Sequence, residues 1–286
     1  TPLGGDVAST WAGLLAGKSG TTVLDDERFA DLPVRIAAPV AVEPSEVMEP
    51  HLIRKLDRSQ QLALIAAKEA WADAAIGDMD KPRLGVAIAT GVGGVISLME
   101  QYDILKERGA SRVSPMTVPM LMPNGPAAWV GLEIGAMAGV HTPVSACASG
   151  AEAIGYGAEM IRTGRADVVV AGGTEGCIHP LTIAAFAAMR TLSTRHDNAA
   201  QASRPFDKDR DGFVMGEGAG AIVLEELEHA LKRGVPIYCE LAGAGATADA
   251  HHITAPHPEG LGAKNVMVSA LQDAGMEASE IDYINT

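Results

Sequence analysis

The residues most suited to chemistry lie in Thr142-Pro143-Val144-Ser145-Ala146-Cys147-Ala148-Ser149-Gly150-Ala151. A short strand pattern turns there at once into a helix pattern. This places Cys147 at a helix N-terminus, where unpaired backbone N–H groups and the positive end of the dipole favour thiolate over thiol. The same N–H groups suit an oxyanion. Ala146, Ala148, Ser149 and Gly150 are small, so a bulky thioester can reach the sulfur, as at the strand-turn-helix elbow of serine hydrolases. A buried structural cysteine has the same local signature, and the residues of this stretch leave both readings open. Cys177, after Gly172-Gly173-Thr174-Glu175-Gly176, and Cys239, in the strand pattern Ile237-Tyr238-Cys239-Glu240-Leu241, read as packing residues.

Other chemical patterns fail on context. Leu15-Ala16-Gly17-Lys18-Ser19 ends like a phosphate loop, but Ala12 stands where its first glycine is required. Gly216 to Ala221 and Gly243 to Ala248 satisfy a loose dinucleotide pattern. The first runs into a strand instead of opening a helix, and the second lacks a helix pattern and an acidic partner. His251, His252 and His257 match no familiar metal spacing and read as loop or pocket residues, so no metal site is expected.

The elements that must position Cys147 follow from periodicity. Leu84 to Thr90, Val168 to Ala171 and Ala221 to Leu224 are short apolar runs suited to strands buried on both faces. Asp57 to Ala75, Gly150 to Arg162 and Glu225 to Lys232 carry helical patterns between them. Strand and helix alternate, which predicts an α/β fold with its sheets covered by helices. Ala110 to Pro126, with prolines at 115, 119 and 123, reads as an irregular pocket wall or interface loop. Aromatic residues make up only 4% of the chain and glycines number 32, so elements can approach closely.

Composition narrows the function class. With 286 residues, 47% of them hydrophobic, the chain can bury a core without disulfide or metal support. Its formal net charge of −14 argues against nucleic-acid binding. Three cysteines without a paired framework suggest a reducing compartment, by default the cytoplasm. Neither a membrane span nor a signal peptide is visible. Thr1-Pro2-Leu3-Gly4-Gly5 opens on a turn, and Ile281 to Thr286 stops on a strand pattern, so both ends read as cut from something longer.

Several stretches together are recognisable: Val144-Ser145-Ala146-Cys147-Ala148-Ser149-Gly150, Val170-Ala171-Gly172-Gly173-Thr174-Glu175, Leu192-Ser193-Thr194-Arg195, and the long run from Ala202-Ser203-Arg204-Pro205-Phe206-Asp207 to Gly216-Glu217-Gly218-Ala219-Gly220. In order and spacing the chain resembles the β-ketoacyl-acyl carrier protein synthases, the elongating condensing enzymes of bacterial type II fatty acid synthesis. The resemblance extends from Thr1 to Thr286. It implies a thiolase-like fold of stacked α/β/α/β/α layers with mixed sheets. Residues 1–234 would form the N-terminal half without its first strand, and 235–286 the start of the C-terminal half.

The implied activity is a decarboxylating Claisen condensation with Cys147 as nucleophile and its N–H as half of the oxyanion hole. The family's two catalytic histidines, a lysine and the second oxyanion N–H match positions downstream of Thr286, so the chain alone is expected not to decarboxylate malonyl groups. The resemblance further implies that Val92 and Thr117 line the acyl channel and that Thr254, Ala255 and Pro256 border the pantetheine channel. Arg54, Lys55, Arg112, Arg190 and Arg195 would meet acyl carrier protein, loaded with acyl or malonyl groups. It also implies a homodimer formed through the region around the nucleophile. No cofactor is expected, since phosphopantetheine arrives on the carrier. Two other roles stay open: the ketosynthase subunit of an aromatic polyketide system, which shares these motifs, and a non-catalytic scaffold subunit of the same fold.

Overall fold

The computed structural model describes residues 1–285; Thr286, the end of the strand pattern at Ile281, lies outside the described residues. Helices α1 (Val7–Leu15), α2 (Pro44–Val47), α3 (Pro50–Ile53) and α4 (Arg58–Ala74) are followed by α5 (Val95–Arg108), α6 (Thr117–Leu121) and α7 (Gly125–Ile134). Then come α8 (Ser149–Arg162), α9 (Pro180–Ala188), α10 (Leu227–Arg233) and α11 (Leu261–Ala274). Strands β1 (Thr22–Val23) and β2 (Ile36–Ala37) make a small antiparallel pair. The main sheet contains β3 (Leu84–Ala89), β4 (Gly139–His141), β5 (Val168–Glu175) and β6 (Gly218–Glu225) in the order β4-β3-β5-β6.

This sheet is mixed. β3 runs parallel to both β4 and β5, pairing Leu84 with Val168 through Ala89 with Gly173, while β6 runs antiparallel to β5. Every residue of β3 and the first five of β5 are buried, as expected for parallel strands covered on both faces. Side-chain alternation divides them between two cores. Leu84, Val86, Ile88, Val168 and Val170 join Leu56, Leu64, Ala67 and Val130 beneath α4 and α7. Ala87, Ala89, Val169 and Ala171 join Ala153 and Met160 beneath α8. The α8 face is the small-residue one, so that helix lies close to the sheet.

Local chemistry fixes the helix that covers the other face. Asp57 caps α4, accepting the Ser59 N–H at 2.9 Å, while the Asp57 N–H donates to Gln60 Oε1 at 3.2 Å. The second Asp57 oxygen accepts the N–H and hydroxyl of Ser97 at 3.2 and 2.7 Å, joining α4 to α5.

Three expectations change. β6 is only half-buried, with Ile222 42% exposed, because α4 covers one of its faces while α8, on the other, lies over β3 and β5 and barely reaches it. The segment from Ala110 to Pro126 is not irregular throughout: it contains α6 and the first two residues of α7. Ile237 to Leu241 and Ile281 to Asn285 are not strands, since a strand exists only through a pairing partner and none lies in register among the described residues. No helix among the described residues is long and apolar enough to cross a membrane.

Candidate active site

The elbow forms as its residue types require. β4 ends at His141, and the Thr142 hydroxyl donates to the Ile88 carbonyl at 2.9 Å, which pins the exit from the sheet. The chain then reverses at Ala146, whose φ of +52° lies in the left-handed region. That conformation is costly for a residue with a Cβ and persists only where its surroundings hold it. Ser149 supplies the hold. Its side chain is buried, accepts the Ser145 N–H at 2.9 Å and donates to the Ala146 carbonyl at 2.7 Å. A 3₁₀ turn over Ala146–Ala148 leads directly into α8, so Cys147 is presented at the head of a 14-residue helix. Cys147 is exposed.

Cys177 differs in kind. It is buried, and burial pushes its thiol up to about 12, with the Glu175, Glu217 and Asp57 carboxylates acting in the same direction. A thiol so held is inert near neutrality. Cys239 is exposed on an unpaired segment.

Beside the elbow lies the loop after β3. A Cβ placed on Gly91 would stand 3.1 Å from the Ala146 carbonyl oxygen, so this loop rests directly on the turn before Cys147. Val92 follows it, 40% exposed. On the loop's other side, the Gly94 N–H donates to the Leu121 carbonyl at 3.3 Å. Leu121 ends α6, which Thr117 begins with its hydroxyl donating to the Ser114 carbonyl at 2.6 Å. The structure thus links the elbow, Val92 and the helix of Thr117 in one continuous wall.

The remaining candidates are placed less closely. Thr254, Ala255 and Pro256 form an exposed turn in which the Thr254 and Ala255 N–H groups both donate to His252 Nδ1 at 3.1 Å. Arg54, Lys55, Arg112 and Arg190 are exposed; Arg112 lines an open groove with Ile104 and Arg108. Arg190 has a φ of +57° just after α9, which turns the chain sharply there. Arg195 is half-buried and partly engaged, 3.5 Å from Asp211 and donating to the Asp209 carbonyl at 2.8 Å.

Sequence reasoning missed the supporting polar residues. Ser149, read only as small, braces the elbow. Glu175, quoted only within a motif, accepts hydrogen bonds from Thr90, Gly91 and Val92. Arg58 donates to the buried Glu217 at 2.5 and 2.6 Å and to Glu43 at 2.9 and 3.1 Å, tying the Gly216-Glu217-Gly218 segment to the start of α4. The available signal was a lone carboxylate closing the otherwise uncharged strand β5, and a glutamate between two glycines.

With this geometry in view, comparison with known proteins is decisive. Residues 1–230 match the β-ketoacyl synthase N-terminal domain and residues 238–286 the β-ketoacyl synthase C-terminal domain. The chain belongs to the β-ketoacyl synthase family. This ketosynthase is 42% identical over 288 aligned positions to a 3-oxoacyl-[acyl-carrier-protein] synthase 2 of Coxiella burnetii, an alignment covering 100% of the chain and 70% of the relative. A β-ketoacyl synthase from Burkholderia phymatum superposes with a TM-score of 0.89 at 34% identity, over 100% of the chain and 71% of the neighbour. A ketosynthase of a type II polyketide system, bound to a hexaketide and in complex with its acyl-carrier protein, superposes equally well, at 0.89 and 32% identity, covering 99% of the chain and 69% of the neighbour. The ketosynthase fold is thus α/β and thiolase-like, with a mixed sheet between helices.

Proposed function

We propose that this chain is a 3-oxoacyl-[acyl carrier protein] synthase of fatty acid elongation, with Cys147 as its nucleophile. The observation that carries the reading is the exposed Cys147 at the head of α8, on a turn braced by Ser149 and bordered by Gly91 and Val92. The Cys147 sulfur attacks the carbonyl carbon of an acyl thioester carried by acyl carrier protein. The carbonyl oxygen becomes an oxyanion, met by the Cys147 N–H at the helix terminus. The carbonyl re-forms as the bond to pantetheine sulfur breaks, and that sulfur leaves as a thiol with the proton Cys147 gave up. In the protein expressed from its whole gene, malonyl carrier protein then loses CO2, and its carbanion attacks the acyl-Cys147 carbonyl. The Cys147 thiolate is expelled, leaving 3-oxoacyl carrier protein. The two-stage course implies ping-pong kinetics.

In this reading Val92 and Thr117 border the acyl chain, and Thr254, Ala255 and Pro256 the pantetheine arm. Phosphopantetheine comes on the substrate, and the chain needs no cofactor or metal of its own. Residues 1–234 make the nucleophile half and 235–286 begin the second half; support comes from the two domain matches, which divide between 230 and 238. The exposed Arg54, Lys55, Arg112 and Arg190, with the partly engaged Arg195, steer the carrier locally against a net charge of −14. A homodimer is supported by the edge strand β4, beside which Leu132, Met137, Val140 and Val144 are exposed. A cytoplasmic setting is supported by three free cysteines.

The likeness to the polyketide ketosynthase favours a second reading, the ketosynthase subunit of an aromatic polyketide system. Cys147 argues against a chain-length partner subunit. The deciding experiment is incubation of the protein, expressed from its whole gene, with long-chain acyl carrier protein, followed by mass spectrometry. An acyl adduct on Cys147 is expected. Refusal of every chain beyond acetyl points to the polyketide role, and no adduct at all to a scaffold.

A further inference from the structure

We propose that Glu175 is a positioning residue for acyl-chain selection: its carboxylate holds the loop from Thr90 to Gly93, and with it Val92, in place against the Cys147 elbow. This rests on the reading of Val92 as a border of the acyl channel and names the residue that fixes that border.

Glu175 ends β5 and is mostly withdrawn from water. Its Oε1 accepts the Thr90 hydroxyl at 2.9 Å, and its Oε2 accepts the N–H groups of Gly91 at 3.0 Å and Val92 at 3.2 Å. The Thr90 hydroxyl oxygen in turn accepts the Gly93 N–H at 3.0 Å. Three consecutive backbone N–H groups are therefore satisfied by one carboxylate and the hydroxyl it orients. The loop has left the β3 ladder, and Gly93, with φ +78°, turns it toward α5. Gly93 is buried and Gly91 half-buried, and N–H groups withdrawn from water are costly without acceptors, so the carboxylate and the Thr90 hydroxyl it orients favour this shape of the loop.

The contact that transmits this shape is short. Gly91 lies between Glu175 and the elbow, and a Cβ on it would be 3.0 Å from Glu175 Oε2 and 3.1 Å from the Ala146 carbonyl oxygen. Gly91 thus has no room for a side chain, and the loop that carries Val92 runs between the carboxylate on one side and the Ala146 carbonyl on the other. Convergent N–H and O–H donors prefer an ionised acceptor, while burial pushes the Glu175 carboxyl up; the three hydrogen bonds oppose that push. The Cys147 sulfur touches none of these groups in the hydrogen-bond network, so the role is one of positioning.

The test compares kcat/KM for a long-chain and a short-chain acyl carrier donor in the protein expressed from its whole gene. Glu175→Ala is expected to change the long-to-short ratio by about tenfold, since displacements of an ångström near a reacting centre carry effects of that order or more. Glu175→Gln, which keeps one acceptor facing Gly91 and Val92, is expected to stay within about threefold of the parent. Thr90→Val, which keeps the carboxylate and removes the acceptor for Gly93, is expected to fall between them and serves if Glu175→Ala does not fold. Val130→Ala, a buried core change on the inner face of α7, is expected to lower Tm without moving the ratio. Val92→Phe tests the channel reading itself and should disfavour the long chain. A ratio unmoved by Glu175→Ala and Thr90→Val while Val92→Phe moves it overturns the role of Glu175 and leaves the channel reading standing. A ratio unmoved by Val92→Phe overturns both, and a ratio moved equally by Val130→Ala reduces Glu175 to general stability.

Discussion

Gly150 and Gly173 meet backbone to backbone: a Cβ added to Gly173 would stand 2.9 Å from the Gly150 Cα. Gly150 lies in the first turn of α8 and Gly173 in β5, so the helix that presents Cys147 rests on the sheet with no side chain between. Gly157 repeats the arrangement further along, where a Cβ would come within 3.1 Å of Val169. The position of the sulfur is thus set by the sheet itself.

Gly173→Ala should therefore push the head of α8 outward. Overpacking of this kind costs roughly 1–3 kcal/mol. Because the displaced turn carries Cys147, the rate of Cys147 alkylation should fall by about tenfold, more than the stability change alone explains. Gly164→Ala, at the far end of α8 where a Cβ would meet nothing within 4 Å, is the comparison: it should lower Tm, through its φ of +70°, without changing alkylation.

The three cysteines should label unequally. At pH 8 iodoacetamide should modify Cys147 and Cys239, which are exposed, and leave Cys177, whose thiol is pushed up to about 12. Peptide mapping reads the result. Labelling of Cys177 in the native protein at the rate of Cys147 would contradict the buried environment described here.

Much of this arrangement was legible in the sequence, and the reasons differ by element. β3 and β5 were visible because parallel strands covered on both faces are continuous apolar runs. The elbow was visible because a strand pattern met a helix pattern at Cys147. What was not legible depends on partners distant in sequence. Glu175 gains its meaning from Thr90 and Gly91, some 85 residues earlier, and Glu217 from Arg58 at a separation of 159. Ile237 to Leu241 carries a strand pattern that pairs with nothing among the described residues, since local propensity does not supply a neighbour.

Carrier recognition should be electrostatic and local. Arg190→Glu should raise KM for acyl carrier protein by about tenfold at low salt, and the difference should shrink as ionic strength rises past about 0.15 M. A small pantetheine thioester should be used as before. An equal loss on both substrates would mean that Arg190, with its left-handed backbone, acts through the structure around α9.

Stability should carry an acid-side signature from Asp167. Arg83 donates to both of its oxygens, one bond at 3.0 Å, and holds this carboxyl below the usual carboxylate range despite the opposing pull of burial. A value depressed in the folded state contributes stability that is fully present above the unfolded value, about 3.9, and is lost as pH falls through the folded one. Asp167→Asn should thus lower Tm at pH 7 by about 2–4 °C, corresponding to about 1 kcal/mol, with the gap closing as pH falls through the depressed folded value. Thermal melts of the two proteins across this range check it, and a gap that widened toward acid would refute the sign.

The most direct test of the central claim is acylation of Cys147 itself. The protein expressed from its whole gene, incubated with a long-chain acyl carrier protein and no malonyl donor, should gain one acyl group, and peptide mass spectrometry should place it on Cys147. Cys147→Ala should gain none, while Cys239→Ala should be acylated like the parent. Acylation that persisted in Cys147→Ala, or a parent protein that gained no adduct, would contradict the assignment of Cys147 as the nucleophile.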